Sequence, residues 1–109
     1  MEINEFKKAH IFKFEDEVDY SSGSIVSKNV LKNPAGNVSL FSFDKNEGLS
    51  EHTAPFNAMV QVIDGQAEVN IDRKPYLVSK GETIIMPANI PHSLKAVEKF
   101  KMILTMIKG

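Results

Sequence analysis

Turn-forming residues recur along most of this chain and divide it into segments of strand length. From residue 33 onward, clusters of Gly, Pro, Asn and Asp appear roughly every 8 to 16 residues, and the stretches between them alternate apolar and polar side chains. The clusters lie at residues 33–36, 45–48, 64–65, 72–75, 80–81 and 87–91. No long helix is needed to account for the sequence. The pattern predicts an all-β fold, either a sandwich or a closed barrel.

The dipeptide Asp64-Gly65 predicts a β-hairpin, because a two-residue type I′ turn needs positive φ at both central positions. We therefore expect Ile63 to pair with Gln66. Side chains alternate across a strand, so this register gathers a set of apolar residues on one face. They are Ala58, Val60, Val62, Ala67, Val69 and Ile71. That face is expected to point into the barrel, and the mostly polar face to point outward.

The last predicted strand, residues 100–107, carries apolar side chains on both faces. A strand of this kind is usually covered on both sides. We expect its second face to meet either the N-terminal segment, residues 1–23, or another subunit. Phe6, Phe12 and Phe14 in that segment are expected to lie over the barrel wall or at a subunit contact.

The composition describes a single domain spanning residues 1–109. Hydrophobic residues make up 42% and charged residues 25%, and a net charge of -1 offers no basic surface for nucleic acid. No apolar run approaches the ~18 residues of a membrane span, and the N-terminus lacks the apolar stretch of a secretory signal. We therefore expect a cytoplasmic protein with neither nucleic acid nor membrane as partner. The absence of cysteine leaves histidines and carboxylates as metal ligands.

Two blocks of the sequence each place one histidine close to turn residues. Residues 48–65 contain His52, and residues 81–96 contain His92. In residue type and spacing, the blocks resemble the two-part motif of the RmlC-like cupin superfamily, and the resemblance covers roughly residues 36–107. The matching positions are His52, Gly65, Gly81, Pro87 and His92. The resemblance implies a small single-domain cupin with a conserved-barrel fold, the double-stranded β-helix or jelly roll.

The resemblance fails at the metal ligands. Cupins usually hold a metal with three histidines and one glutamate, but Ala54 stands at the second histidine position and Ala58 at the glutamate position. Ala96 replaces the asparagine that closes the second block. Asn46 and Asn89 replace glycines, which the fold tolerates because asparagine adopts left-handed backbone more readily than most residues. The resemblance therefore implies a cupin barrel with a reduced ligand set.

We expect His52 and His92 to anchor a small organic ligand inside the barrel. Alanine at two ligand positions removes charge and volume, which favours a wider and more apolar cavity. An imidazole at its edge can hydrogen-bond a ligand or transfer a proton near neutral pH. The predicted wall of this two-histidine site includes Ala54, Ala58, Val60 and Met86.

Other functions stay open. One is a metal-dependent enzyme of isomerase, lyase or dioxygenase type, in which His52 and His92 hold a weakly bound Zn, Ni, Mn or Fe ion. Glu51 could join them only if a bulge turned it inward. Another is a ligand-sensing accessory module, and a further alternative is that the histidines bind no metal and are satisfied by hydrogen bonds. Because unpaired sheet edges favour pairing between subunits, we also expect a homodimer.

Overall fold

The computed structural model describes residues 6–108, which form nine β-strands after a single 3-10 turn at Phe14–Asp16. The strands are β1 (Ile25–Asn33), β2 (Gly36–Phe43), β3 (Gly48–His52), β4 (Asn57–Asp64), β5 (Gln66–Ile71), β6 (Lys74–Ser79), β7 (Thr83–Met86), β8 (His92–Ala96) and β9 (Phe100–Ile107). They make a five-stranded sheet, in the order β1-β2-β9-β4-β7, and a four-stranded sheet, in the order β3-β8-β5-β6. Every pairing is antiparallel. The predicted all-β barrel is confirmed.

The core lies between the inner faces of the two sheets. Phe43 and Phe100 stack at its centre, with ring centroids 4.5 Å apart, and both are fully buried. Burying one such side chain contributes roughly 1.5 to 3 kcal/mol. The other buried members include Ala58, Val60, Val62, Ala67 and Val69. The inward face predicted for β4 and β5 is therefore correct.

The hairpin predicted at Asp64-Gly65 is wrong. β4 pairs with β7 and β9, whereas β5 pairs with β6 and β8, so Gly65 is a corner where the chain passes from one sheet to the other. Gly65 has a φ of 74°, and a Cβ at this position would overlap the carbonyl oxygen of Lys99. The hairpin prediction required positive φ at both Asp64 and Gly65, but only Gly65 has it, and the segment at Lys99 packs against this corner.

A two-residue turn with positive φ does occur elsewhere, between β5 and β6. Asp72 and Arg73 have φ values of 52° and 63°, and they join Ile71 to its partner Lys74. Both central residues thus have the backbone that a type I′ hairpin requires. The sequence indicated a turn at residues 72–75, but arginine is an unusual residue for this conformation, so the pattern did not indicate a type I′ hairpin there.

Two asparagines support the loops around the barrel. Asn46 and Asn89 have φ values of 73° and 65°, as expected for residues that replace glycines. The backbone N–H of Asn89 donates to the carbonyl oxygen of Ala54 at 2.7 Å. The backbone N–H of Ala88 donates to the side-chain oxygen of Asn57 at 2.9 Å. These bonds tie the loop before β8 to the loop between β3 and β4.

From residue 6 onward, the N-terminal segment covers part of the outer face of the five-stranded sheet. Val18 is buried there with Leu40 and Ile103, and Phe14 packs against the same group. Ile103 belongs to the second face of β9, so the chain itself covers that part of the strand. His10 is exposed.

The remaining part of that outer face is apolar and open. Ile85 on β7 is 61% exposed, and Ile107 on β9 is 68% exposed. Met59 on β4 lies between them and is partly exposed. Together these three residues form what we call the outer apolar patch. Within residues 6–108, no helix is long and apolar enough to cross a membrane.

Candidate functional site

The two block histidines meet at one end of the barrel. His52 is the last residue of β3 and His92 is the first residue of β8, and the two are paired across the adjacent strands. The register between these strands shifts between Leu49 and His52, which marks an irregularity immediately before the histidine. The loop bonds of Asn89 and Ala88 hold the start of β8 beside the β3–β4 loop. Both imidazoles are thereby fixed at the same opening.

The imidazoles face each other through their Nε2 atoms, which are 3.1 Å apart. Each ring is held on its other side by a backbone carbonyl. The Nδ1–H of His52 donates to Ser50 at 2.7 Å, and the Nδ1–H of His92 donates to Ile90 at 3.1 Å. A carbonyl oxygen can only accept, so in the neutral rings the proton is assigned to Nδ1 and both Nε2 atoms carry a free lone pair. The site therefore presents two converging electron-pair donors.

The two rings differ in their surroundings. His92 is only 5% exposed, while His52 lies at the solvent-facing rim. Burial lowers the pKa of His92, the carbonyl of Ile90 opposes this, and the nearby charge of His52 lowers the pKa further. The net direction is downward.

Behind the histidines lies an apolar cavity of about 50 Å³. Its wall consists of aliphatic, aromatic and methionine side chains from both sheets and the β3–β4 loop. They are Leu49, Ala54, Phe56, Ala58, Met86, Leu94, Met102, Leu104 and Met106. A space of this size accepts about three to five water-sized groups. The cavity is narrower than the sequence suggested, because leucines and methionines occupy much of the interior.

Comparison with known proteins identifies the family. The sequence model of the cupin domain matches residues 39–108. The chain belongs to the cupin family. Among solved structures, this cupin is similar to a conserved Streptococcus pyogenes protein of unknown function, with 36% identity and a TM-score of 0.93 over 98% of this chain and 94% of that one.

A second relative is longer than this cupin. A cupin 2 conserved barrel domain protein from Leptotrichia buccalis is 43% identical, with a TM-score of 0.86 over 89% of this chain. The match covers 47% of that protein, so this cupin spans about half its length. A cupin superfamily protein from Desulfitobacterium hafniense shares the fold at 16% identity and a TM-score of 0.91, with both chains fully covered. No curated protein matches the sequence.

Most of the predicted site residues of this cupin lie at the cavity. Ala54, Ala58 and Met86 line it together with both histidines. Val60 does not line it, because its side chain is fully buried one inward position further from the opening. Six lining residues were not predicted as part of the site: Leu49, Phe56, Leu94, Met102, Leu104 and Met106. The alternation of β9 could have indicated three of these, since it places Met102, Leu104 and Met106 on one face.

The donor set of this cupin does not fit the usual metal site of its family. Within residues 6–108, no three His, Cys, Asp or Glu side chains come together as possible ligands. Glu51 points away and contacts the exposed side chain of Arg73, with 3.5 Å between Oε1 and Nε. Two neutral imidazoles remain as nitrogen donors. A three-histidine, one-glutamate site for a divalent ion is therefore not assembled from these residues.

Proposed function

We propose that this cupin is a ligand-binding protein in which the Nε2 atoms of His52 and His92 jointly hold the ligand at the mouth of the cavity. The observation that carries the proposal is the pair itself. Two lone pairs 3.1 Å apart repel each other unless an electron-pair acceptor lies between or in front of them. The carbonyls of Ser50 and Ile90 fix both rings in this orientation. The pair is thus organised before any ligand arrives.

An organic ligand would bring a hydrogen-bond donor to the pair and an apolar group to the cavity. Hydroxyl, ammonium and protonated acid groups can donate to Nε2. Leucine and methionine side chains around the cavity favour an apolar group of a few heavy atoms behind that donor. The cavity volume of about 50 Å³ limits the inserted part of the ligand, and the remainder would lie in the opening beside the exposed His52.

A metal ion is the second candidate, and the separation of the Nε2 atoms favours it. Imidazole nitrogens bind ions such as zinc at about 2.0 to 2.1 Å. Two nitrogens 3.1 Å apart at that bond length would subtend an angle of about 100° at the ion, which lies between octahedral and tetrahedral geometry. The histidines alone would leave most coordination positions to water or to other groups.

Thermal unfolding with and without ligands tests the proposal. Small alcohols, amines, carboxylic acids, Zn(II) and Ni(II) would each be added to the wild type, to His52→Ala and to His92→Ala, with His10→Ala as control. A ligand at 100 times its Kd stabilises the folded state by about 2.7 kcal/mol, and this gain should disappear in both pair variants. His10 is exposed and far from the pair in sequence, so its variant should respond like the wild type.

Equal stabilisation of wild type and pair variants by every ligand would refute the histidine pair as the anchor. For any ligand that does bind, proton NMR of the mixture over time separates the remaining alternatives. New product signals indicate an enzyme, and an unchanged ligand spectrum indicates a binding or sensing module.

We further propose that this cupin pairs with a second copy through the outer apolar patch. Ile85 and Ile107 are mostly exposed there, and within residues 6–108 β7 is an edge strand with one side unpaired. Light scattering after size-exclusion chromatography should give twice the monomer mass. The variant Ile85→Lys should shift the protein to the monomer mass, while a monomeric wild type would contradict the pairing.

A further inference from the structure

We infer that the pocket of this cupin binds Cu(I), with His52 and His92 as nitrogen ligands and Met86 and Met106 as sulfur ligands. The inference rests on the proposed function, because it takes the histidine pair as the anchor. It adds which ligand the remainder of the pocket selects.

The methionines lie on either side of the position that a glutamate ligand occupies in other cupins. Ala58 pairs with Met86 on β7 and with Met106 on β9, so the three residues form a row across adjacent strands. All three side chains line the same cavity as His52 and His92. The row belongs to the five-stranded sheet and the histidines to the four-stranded sheet. The two donor pairs therefore face the cavity from opposite walls.

Every contributing residue also lies at one end of the barrel. His52 ends β3 and Met86 ends β7, while His92 begins β8 and Met106 is the residue before the end of β9. A methionine side chain is unbranched and has several rotatable bonds, so its sulfur can adjust to an ion held by the imidazoles. The short Ala58 side chain between the methionines leaves room for this adjustment.

Donor softness selects copper among the first-row metals. Thioether sulfur is a soft ligand that suits Cu(I), while imidazole binds copper, zinc, nickel and iron alike. The carboxylate that would favour harder ions is absent from the row, since alanine occupies its position. Two imidazoles and two thioethers make a four-coordinate set that needs no water.

The absence of charged ligands at the site, within residues 6–108, also favours Cu(I), because it is monovalent. All four proposed donors are neutral, and the described residues bring no carboxylate to the cavity wall. The cost of moving an ion out of water rises with the square of its charge, so an uncompensated divalent ion costs about four times as much as a monovalent one. Met86 and His92 are 3% and 5% exposed, so the inner half of the site offers little water to offset that cost. A monovalent ion is favoured.

Anaerobic Cu(I) titration against a coloured Cu(I) chelator such as bicinchoninate, with ascorbate as reductant, tests the inference. The wild type should bind one equivalent. Met86→Leu combined with Met106→Leu keeps the apolar volume nearly constant and should lower Cu(I) affinity by about 10- to 100-fold or more, a range typical of losing support at a metal site. Zn(II) affinity, measured on the same proteins, should change less than about threefold because thioethers contribute little to zinc sites.

The matched control is Met59→Leu. Met59 follows Ala58 on β4, but side-chain alternation places it on the outer face of the sheet, outside the cavity. Its variant should retain wild-type Cu(I) affinity. X-ray absorption on the copper-loaded wild type should show sulfur in the first coordination sphere, and this measurement requires no variant to fold.

The outcomes separate the two proposals. A copper site without sulfur, or a double methionine variant with unchanged Cu(I) affinity, overturns the Cu(I) assignment. If the wild type does not bind Cu(I) but another ligand binds and is lost in His52→Ala and His92→Ala, only this inference fails. If Cu(I) binds equally well to wild type and to both histidine variants, the anchor is wrong and the proposed function fails with it.

Discussion

Restoring the two missing ligands should create a tight divalent site in this barrel. The change is Ala54→His together with Ala58→Glu. Both alanines line the cavity that His52 and His92 close, so the new side chains would point at the pair. The variant would then carry the three histidines and one glutamate that cupins usually use, in positions set by the backbone.

Without metal, the new carboxylate at position 58 should destabilise the folded state because it is buried. Ala58 is only 4% exposed, and burying an ionised carboxylate costs several kcal/mol unless it is paired or takes up a proton. With zinc at 100 times its Kd, binding returns about 2.7 kcal/mol. For a domain of this size, 1 kcal/mol moves Tm by about 4 to 8 °C, so zinc should raise the Tm of the variant by about 10 to 20 °C.

Differential scanning calorimetry with and without zinc, and titration calorimetry for Kd, are the assays. Met59→Glu is the matched control, since it places a carboxylate next along β4 but on the outer face. Its response to zinc should equal that of the wild type. A double variant that folds and gains no more than the Met59→Glu control would refute the inward placement of Ala54 and Ala58.

Other parts of the chain give three further predictions. Gly65→Ala should lower the unfolding free energy, measured with urea, by about 3 kcal/mol or more, because alanine resists positive φ and its Cβ would overlap the Lys99 carbonyl. A decrease below about 1 kcal/mol would contradict the corner geometry. Tyr20→Phe should lower the unfolding free energy by about 1 kcal/mol, since it removes the 2.5 Å hydrogen bond from the Tyr20 hydroxyl to Asp64. An unchanged Tm would argue against that contact. Folding lowers the pKa of His92 from its ordinary 6.5, so the unfolded chain binds that proton more tightly. The unfolding free energy should therefore decline as pH falls below 6.5, with a shallower decline in His92→Asn.

Local patterns in the sequence predicted the faces of the strands better than their neighbours. Alternation placed Val60 and Val69 inside correctly, because the side-chain period of a strand does not depend on its partner. The partner of β4 could not be read from Asp64-Gly65, since the same dipeptide suits a hairpin and a corner. The carbonyl of Lys99, which packs against Gly65, is more than thirty residues away in sequence.

In the site, too, local sequence indicated some features, while others depend on distant parts of the chain. His52 and His92 were recognised from their positions in the two blocks, and Asn89 was expected to adopt the positive φ that the structure shows. Alternation along β9 puts Met106 on the same face as Phe100, Met102 and Leu104. Its position beside Ala58 depends on the pairing of β9 with β4, which no local pattern in either strand specifies.

The division of the pocket between the two sheets has a mechanical consequence. The two sheets are joined by side-chain packing in the core and by the connections that cross between them, among them the Gly65 corner. A ligand that contacts the histidines on one sheet and the methionines on the other links the two sheets at the open end of the barrel. When such a ligand binds, amide hydrogen exchange in β3, β7 and the start of β8 should slow together, although these strands belong to different sheets.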